Sequence, residues 1–290
     1  MHEFIRSRGD LIEQQLSQLI PEQKVAHSSL FQAARYSLLG GGKRLRPLLT
    51  LATVEVFKKD PKAGLIPACA LEMIHTYSLI HDDLPCMDDD DFRRGKPSLH
   101  KAFQEGQAVL AGDYLLTHAF QVLATAPKLS EYQRLELIRI LSNRAGGEGM
   151  IAGQILDIEA EPSIDIQDLN SLHSHKTGAL LVAALEFGAI IAEADEEQME
   201  ILREFGSNIG LAFQIIDDVL DVTSSKQKHG KTLSSDQING KATYVTLMGL
   251  ERSQKEAEKL LLNGLKTIEK LSVDVSLLKE LAWWIVNRKL

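Results

Sequence analysis

The chain has 290 residues and a formal net charge of −8, with 25% charged and 44% hydrophobic residues. That ordinary globular balance leaves no basic surplus for general nucleic-acid or anionic-membrane binding. An acidic protein that handles polyanions has to concentrate its basic groups locally or recruit a metal.

Helical spacing dominates, and strand-like alternation between hairpin turns is scarce. Leu11, Ile12, Leu16, Leu19 and Ile20 predict one apolar stripe, and Leu135, Leu137, Ile138 and Leu141 another. Residues 65–80, 109–124, 178–192, 201–221 and 242–264 read as long, mostly buried helices. Breakers fall at Gly40-Gly41-Gly42, Lys59-Asp60-Pro61, Gly95-Lys96-Pro97, Ala126-Pro127, Glu161-Pro162 and Lys228-His229-Gly230. No linker, low-complexity tract or solenoid-length repeat divides the chain. The expectation is one all-α domain over residues 1–290, a large helical bundle around a central cavity.

Cys69 and Cys86 form no CxxC pair and no zinc spacing, which suggests free thiols in a reducing compartment. The opening residues Met1 to Arg6 lack the apolar core of a signal peptide, so a cytoplasmic location is expected. The longest apolar segment, residues 177–194, is interrupted by Glu186 and Gly188. It reads as a buried core helix rather than a membrane span.

Two acidic clusters carry the chemistry: Asp82-Asp83-Leu84-Pro85-Cys86-Met87-Asp88 and Asp217-Asp218-Val219-Leu220-Asp221. Aspartates this close repel one another and lose hydration if buried, so they need a cation to stay ionised in a pocket. Hard oxygen donors without His or Cys favour Mg²⁺, which completes its octahedron with water and phosphate oxygens. Asp217 and Asp221 share a helix face, with Cβ atoms roughly 5–6 Å apart. Asp82 and Asp88 would lie on different faces of a straight helix. Pro85 should end the helix and let Asp88 fold back. The alternative for either cluster alone is a solvated charged face.

Basic residues accompany these clusters. Lys43 and Arg46, in Gly40-Gly41-Gly42-Lys43-Arg44-Leu45-Arg46-Pro47, can converge on one phosphate at a helix start, though a plain turn with a basic helix start fits equally. Arg93-Arg94-Gly95-Lys96 follows the first acidic cluster, and Lys231 and Lys241 follow the second. Arginine beside aspartate suits bidentate phosphate contacts.

Gly41 to Pro47, Asp82-Asp83…Asp88…Arg93-Arg94-Gly95, Gly149-Met150-Ile151-Ala152-Gly153-Gln154, Lys176-Thr177-Gly178 and Phe213 to Asp221 stand in this order. The set resembles the trans-polyprenyl diphosphate synthases over nearly the whole chain. The first acidic motif, with Pro85-Cys86, looks like the bacterial type of farnesyl diphosphate synthase. The resemblance implies the isoprenoid synthase fold, a homodimer, and up to three Mg²⁺ ions. It implies that isopentenyl diphosphate is condensed with dimethylallyl and then geranyl diphosphate to give farnesyl diphosphate.

Asp82, Asp88 and Asp217 would then hold the allylic diphosphate through Mg²⁺, helped by Arg93, Lys176, Lys231 and Lys241. Lys43, Arg46, His75 and Arg94 would hold isopentenyl diphosphate; a histidine on an apolar helix face such as His75 is otherwise more often a satisfied core residue. Asp83, Asp218 and Asp221 would support the metal waters and orient the basic groups. Oxygens of Lys176 (main chain), Thr177 and Gln214 would face the allylic cation. Tyr77, with Ser78 beside it, resembles the short-chain floor beneath Asp82, favouring a farnesyl over a geranylgeranyl product.

Ser234-Ser235 and Val245 depart from the family pattern where Gly and Pro are common. The terminal Arg288-Lys289-Leu290 could cover the isopentenyl diphosphate or be an exposed helix end. Three rivals remain: a terpene cyclase, whose second motif mixes Asn, Ser or Thr and Glu; a longer-chain synthase; and a non-catalytic synthase subunit, which tends to lose one acidic cluster.

Overall fold

The structure, a computed structural model, describes residues 1–161, 163–229 and 242–287. It is all-α apart from one two-stranded hairpin among those residues. The chain groups into two compact units, His2–Leu141 with Ile190–Ala192, and Met1 with Ser142–Ala189 and Glu193–Leu290.

The His2–Leu141 unit contains α1 (His2–Leu19), α2 (Ser28–Leu38), α3 (Leu45–Val56), α4 (Leu65–Asp82), β1 (Phe92–Arg93), β2 (Lys96–Pro97), α5 (Leu99–Ala102), α6 (Glu105–Ala124) and α7 (Glu131–Ala145, its last turn in the other unit). Helix α4 is its central element and touches α1, α2, α3 and α6. It is apolar nearly all round, which is why it is buried from Pro67 through Ile74. Pro67 sits in its first turn, where a missing N–H leaves no intrahelical bond unmade.

Burial of α4 and α3 brings one charged network into the core. Arg44, 4% exposed and with a left-handed backbone (φ 49°), precedes α3 and turns inward. It donates to Glu72 Oε1 at 2.8 Å, Glu13 Oε1 at 2.7 Å and the Leu38 carbonyl at 2.6 Å. Glu72, 1% exposed, is the carboxylate that makes this burial tolerable.

The second unit contains α8 (Met150–Glu159), α9 (Ile166–His173), a π-helical turn (Ser174–Gly178), most of α10 (Ala179–Ala192), α11 (Glu196–His229), α12 (Tyr244–Met248), α13 (Leu250–Ile268) and α14 (Ser276–Val286). Helix α13 lies along α11, and α14 packs on both. Glu186, which interrupts the apolar run of α10, is 2% exposed. It takes two bonds from Arg144, at 2.8 and 3.0 Å, and one from Arg203 at 2.7 Å. The stretch Ile166–Ala192 is long and apolar enough to cross a membrane by length and composition, and 78% of its most apolar window is buried.

The helix expected over 242–264 is divided in the structure. Gly249 takes φ 81°, ψ 158°, outside the helical region, and separates α12 from α13. The break expected at Gly95-Lys96-Pro97 is an antiparallel hairpin in the structure. Its turn places both Arg94 (φ 54°) and Gly95 (φ 75°) at positive φ, the geometry that matches the twist of paired strands.

Glu72→Ala should destabilise the protein by about 3–5 kcal/mol, because it strips a buried guanidinium of its buried partner. Urea unfolding with the midpoint and slope compared against Glu72→Gln measures this; a loss below about 1 kcal/mol would contradict the role given to the pair.

Candidate functional site

In the first unit, α4 ends at Asp82 and the chain reverses through Pro85. The Asp88 N–H donates to the Asp82 carbonyl at 2.9 Å, and Asp89 N–H to the Leu84 carbonyl at 3.1 Å. The reversal brings residues 82 and 88 together despite their six-residue spacing. Asp82 and Asp88 are both half-buried.

Asp83 turns the other way and is 2% exposed. It accepts from Arg93 Nε at 2.9 Å and is also bonded by an Arg93 terminal nitrogen, which reaches Asp90 Oδ2 at 2.8 Å. Burial raises the Asp83 carboxyl above its ordinary value, and Arg93 offsets only part of that rise. Burial lowers the Arg93 guanidinium, but its bonds to Asp83 and the nearby Asp90 outweigh that and raise it.

The next residue, Arg94, bonds the Gly41 carbonyl. Gly42 (φ 129°) passes so close that a Cβ there would come 2.7 Å from the Arg94 guanidinium carbon. Gly42 is therefore needed for the approach as well as for its backbone angle, and Gly41 (φ 88°) for its backbone angle. Arg46, 9% exposed, has its Nε buried without a hydrogen-bond partner among the described residues. Burial first, and repulsion from Arg94, lower it to about 10, against the pull of Glu72. Burial and then the charges of Arg46, Arg94, Arg44 and Arg93 hold His75 well below its ordinary value, so it is neutral. Positive charge held together this way favours an anion. Lys43 is exposed at the start of the same segment.

Tyr77 lies one turn and a half below Asp82, 5% exposed, its hydroxyl without a partner among the described residues. Burial, and then Asp82, push that hydroxyl up to about 12. The Ser78 hydroxyl donates to the His75 carbonyl at 2.9 Å.

In the second unit, the π-helical turn carries Lys176 and Thr177. Such a turn inserts an extra residue and redirects carbonyls, and it is common at functional positions. It fits because glycines flank it. A Cβ at Gly153 would come 2.0 Å from the Lys176 nitrogen, and one at Gly210 would come 3.0 Å from Gly178 Cα. Lys176 Nζ bonds Asp157 Oδ2 at 2.6 Å.

Thr177 Oγ1 donates to Gln214 Oε1 at 3.1 Å, and Gln214 Nε2 donates to Asp218 Oδ1 at 3.4 Å. Asp218 Oδ2 accepts the Tyr244 N–H at 2.9 Å, at the start of α12. Asp218 is thus buried beneath the wall, while Asp217 is half-buried and Asp221 exposed. Lys231, Lys241, Ser234-Ser235 and Arg288-Lys289-Leu290 lie outside the described residues.

Both walls offer hard carboxylate oxygens, the donor set that fits Mg²⁺. Among the described residues no three acid, imidazole or thiol side chains are already gathered as a metal cage. Mg²⁺ is ordinarily held by one or two carboxylates with water and substrate phosphate completing its shell.

Sequence reasoning missed Asp157, Glu72, Glu13 and Gly112. Asp157 follows the Gly153-Gln154 motif by a few residues, but its pairing with Lys176 spans a turn that local spacing does not foretell.

An all-α fold with aspartate walls and clustered phosphate-type cations defines a diphosphate-handling enzyme class. The chain belongs to the polyprenyl synthetase family, whose profile matches residues 27–281. It is 46% identical over 288 residues to the farnesyl diphosphate synthase of Bacillus subtilis (strain 168), covering 98% of this chain and 97% of that protein. It is 45% identical over 265 residues to the heterodimeric geranylgeranyl pyrophosphate synthase large subunit 1 (chloroplastic) of Arabidopsis thaliana, covering 89% and 71%. The crystal structure of a Helicobacter pylori geranyltransferase complexed with magnesium and isoprenyl diphosphate superposes with a TM-score of 0.85 at 37% identity, covering 98% of this chain and 96% of that one.

His173 stacks on Tyr244, with its Nε2 buried and unpartnered among the described residues. Burial lowers it from 6.5 to about 4, with Asp157 opposing and Lys176 assisting. Between those values the unfolded chain binds the extra proton, so stability is lost as pH falls from 6.5 towards 4. His173→Gln should flatten that part of the pH–stability profile in urea titrations; an unchanged slope would contradict the assignment.

Proposed function

We propose that the protein is a short-chain prenyltransferase that condenses isopentenyl diphosphate with dimethylallyl and then geranyl diphosphate, releasing (2E,6E)-farnesyl diphosphate. The observation that carries this reading is the backbone reversal joining Asp82 and Asp88 beside the Asp83–Arg93 pair. The 46% identity to a farnesyl diphosphate synthase over nearly the full length supports it.

In this reading Asp82, Asp88 and Asp217 hold up to three Mg²⁺ ions and the allylic diphosphate, with Arg93, Lys176, Lys231 and Lys241 contacting the phosphates. When bound, Mg²⁺ neutralises charge that builds on the departing diphosphate. Lys43, Arg46, His75 and Arg94 hold isopentenyl diphosphate without metal. Asp83, Asp218 and Asp221 orient these groups. As the allylic C1–O bond breaks, the Lys176 carbonyl, Thr177 and Gln214 oxygens face the positive carbon and exclude water from it. The isopentenyl double bond attacks C1, and the adduct loses its proton to the released diphosphate. Tyr77, with Ser78 beside it, blocks further growth from beneath Asp82. Its burial supports this, lying about 7.5 Å down the helix at 1.5 Å per residue.

We further read residues 1–290 as one synthase domain, since the family profile runs through both compact units. A cytoplasmic homodimer is part of the proposal: both cysteines are free, and Leu110 and Leu135 are 60% and 63% exposed. Size-exclusion chromatography with light scattering checks the dimer.

Purified protein with Mg²⁺, dimethylallyl diphosphate and labelled isopentenyl diphosphate should yield mainly C15 alcohol after phosphatase treatment. Mainly C20 would keep the family and remove the Tyr77 floor; no product would contradict the activity. Asp82→Ala or Asp217→Ala should each lower kcat by about 10²-fold or more with the fold retained by circular dichroism. Near-normal turnover in either would contradict the metal assignment.

A further inference from the structure

Tyr77 is held by shape alone, because its buried hydroxyl makes no hydrogen bond among the described residues. The His81 and Tyr77 rings meet edge to face, with centroids 5.7 Å apart and planes at 76°. His81 is itself keyed into α6. Its Nε2 donates to the Val109 carbonyl at 3.1 Å, and the ring occupies a notch at Gly112, where a Cβ would come 2.1 Å from Nε2. Helix α6 thereby comes close enough to α4 for a ring on one to lock into the backbone of the other.

We propose that His81, seated in the Gly112 notch, is a positioning residue that sets product length by bracing the Tyr77 ring. The proposal rests on reading Tyr77 as the floor. Edge-to-face contact with a ring anchored at its far side restricts Tyr77 to one rotamer. Removing the imidazole opens space one helical turn from Tyr77, on the side facing α6. The phenol can then swing aside and free the volume beneath Asp82 for another five-carbon unit. Polar contacts of His81 with its own helix do not account for this geometry, since its nitrogen is directed at α6.

Product-length analysis with Mg²⁺, dimethylallyl diphosphate and labelled isopentenyl diphosphate tests this on wild type, Tyr77→Ala, His81→Ala, Gly112→Ala and His81→Ala/Gly112→Ala. His81→Ala should raise the C20-to-C15 ratio about tenfold. Gly112→Ala should lower Tm and shift products the same way by expelling the ring. The double variant should regain Tm, because the new methyl fills the vacated notch, yet keep the longer product. Lengthening by Tyr77→Ala with a wild-type ratio in His81→Ala overturns the brace and leaves the floor standing. An unchanged ratio in Tyr77→Ala overturns the floor and the brace with it. A His81→Ala enzyme with lower Tm and turnover but unaltered product ratio shows a structural role only and refutes the proposal.

Discussion

The ion pair between Asp83 and Arg93 is the contact on which the first acidic wall depends. Asp83 is nearly inaccessible, and a carboxylate in that position loses hydration that a guanidinium has to replace. In satisfying it, Arg93 fastens the β1–β2 hairpin to the end of α4. The hairpin turn then directs Arg94 onto the Gly41 carbonyl, across from Arg46 and His75. One buried pair thus organises two neighbouring groups of opposite charge, carboxylates at the helix end and cations behind the hairpin. Burial first, and then repulsion from the neighbouring arginines, keep His75 neutral and lower Arg46, and an anion between them would relieve the repulsion.

Steric fit does for the second wall what charge does for the first. The π-helical turn at Ser174–Gly178 occupies space that side chains at Gly153 and Gly210 would fill. Because it fits, Thr177 reaches Gln214, which reaches Asp218, which anchors the start of α12. The neighbouring Asp217 is left on the less buried side of α11. Adjacent aspartates in one motif therefore differ in exposure: Asp218 holds structure, and Asp217 is the carboxylate proposed for metal.

Much of this was legible in the sequence where the signal is local. Apolar periodicity located α4, α6, α10 and the core of α11, and Pro85 foretold the reversal that joins Asp88 to Asp82. Glu186 marked the apolar run of α10 as something other than lipid-facing, and its two arginine partners give the reason. Illegible features depend on close approach between distant segments. Arg44 reads like its basic neighbours Lys43 and Arg46, yet its backbone conformation sends it into the core towards Glu72. Gly112 reads as a helix glycine until the His81 ring is seen against it. Gly249 carried a usable breaker signal, but the apolar pattern on either side of it concealed the break.

The central claim is that Arg46, Arg94 and His75 form a metal-free diphosphate pocket. The most direct measurement is NMR titration of the His75 ring, with labelled histidine and a His75→Gln control, with and without isopentenyl diphosphate and without Mg²⁺. The account predicts that His75, neutral and well below 6.5 alone, shifts upward in pKa once the diphosphate offsets the arginine charges. An unmoved His75 titration, at isopentenyl diphosphate concentrations that saturate turnover, would contradict it.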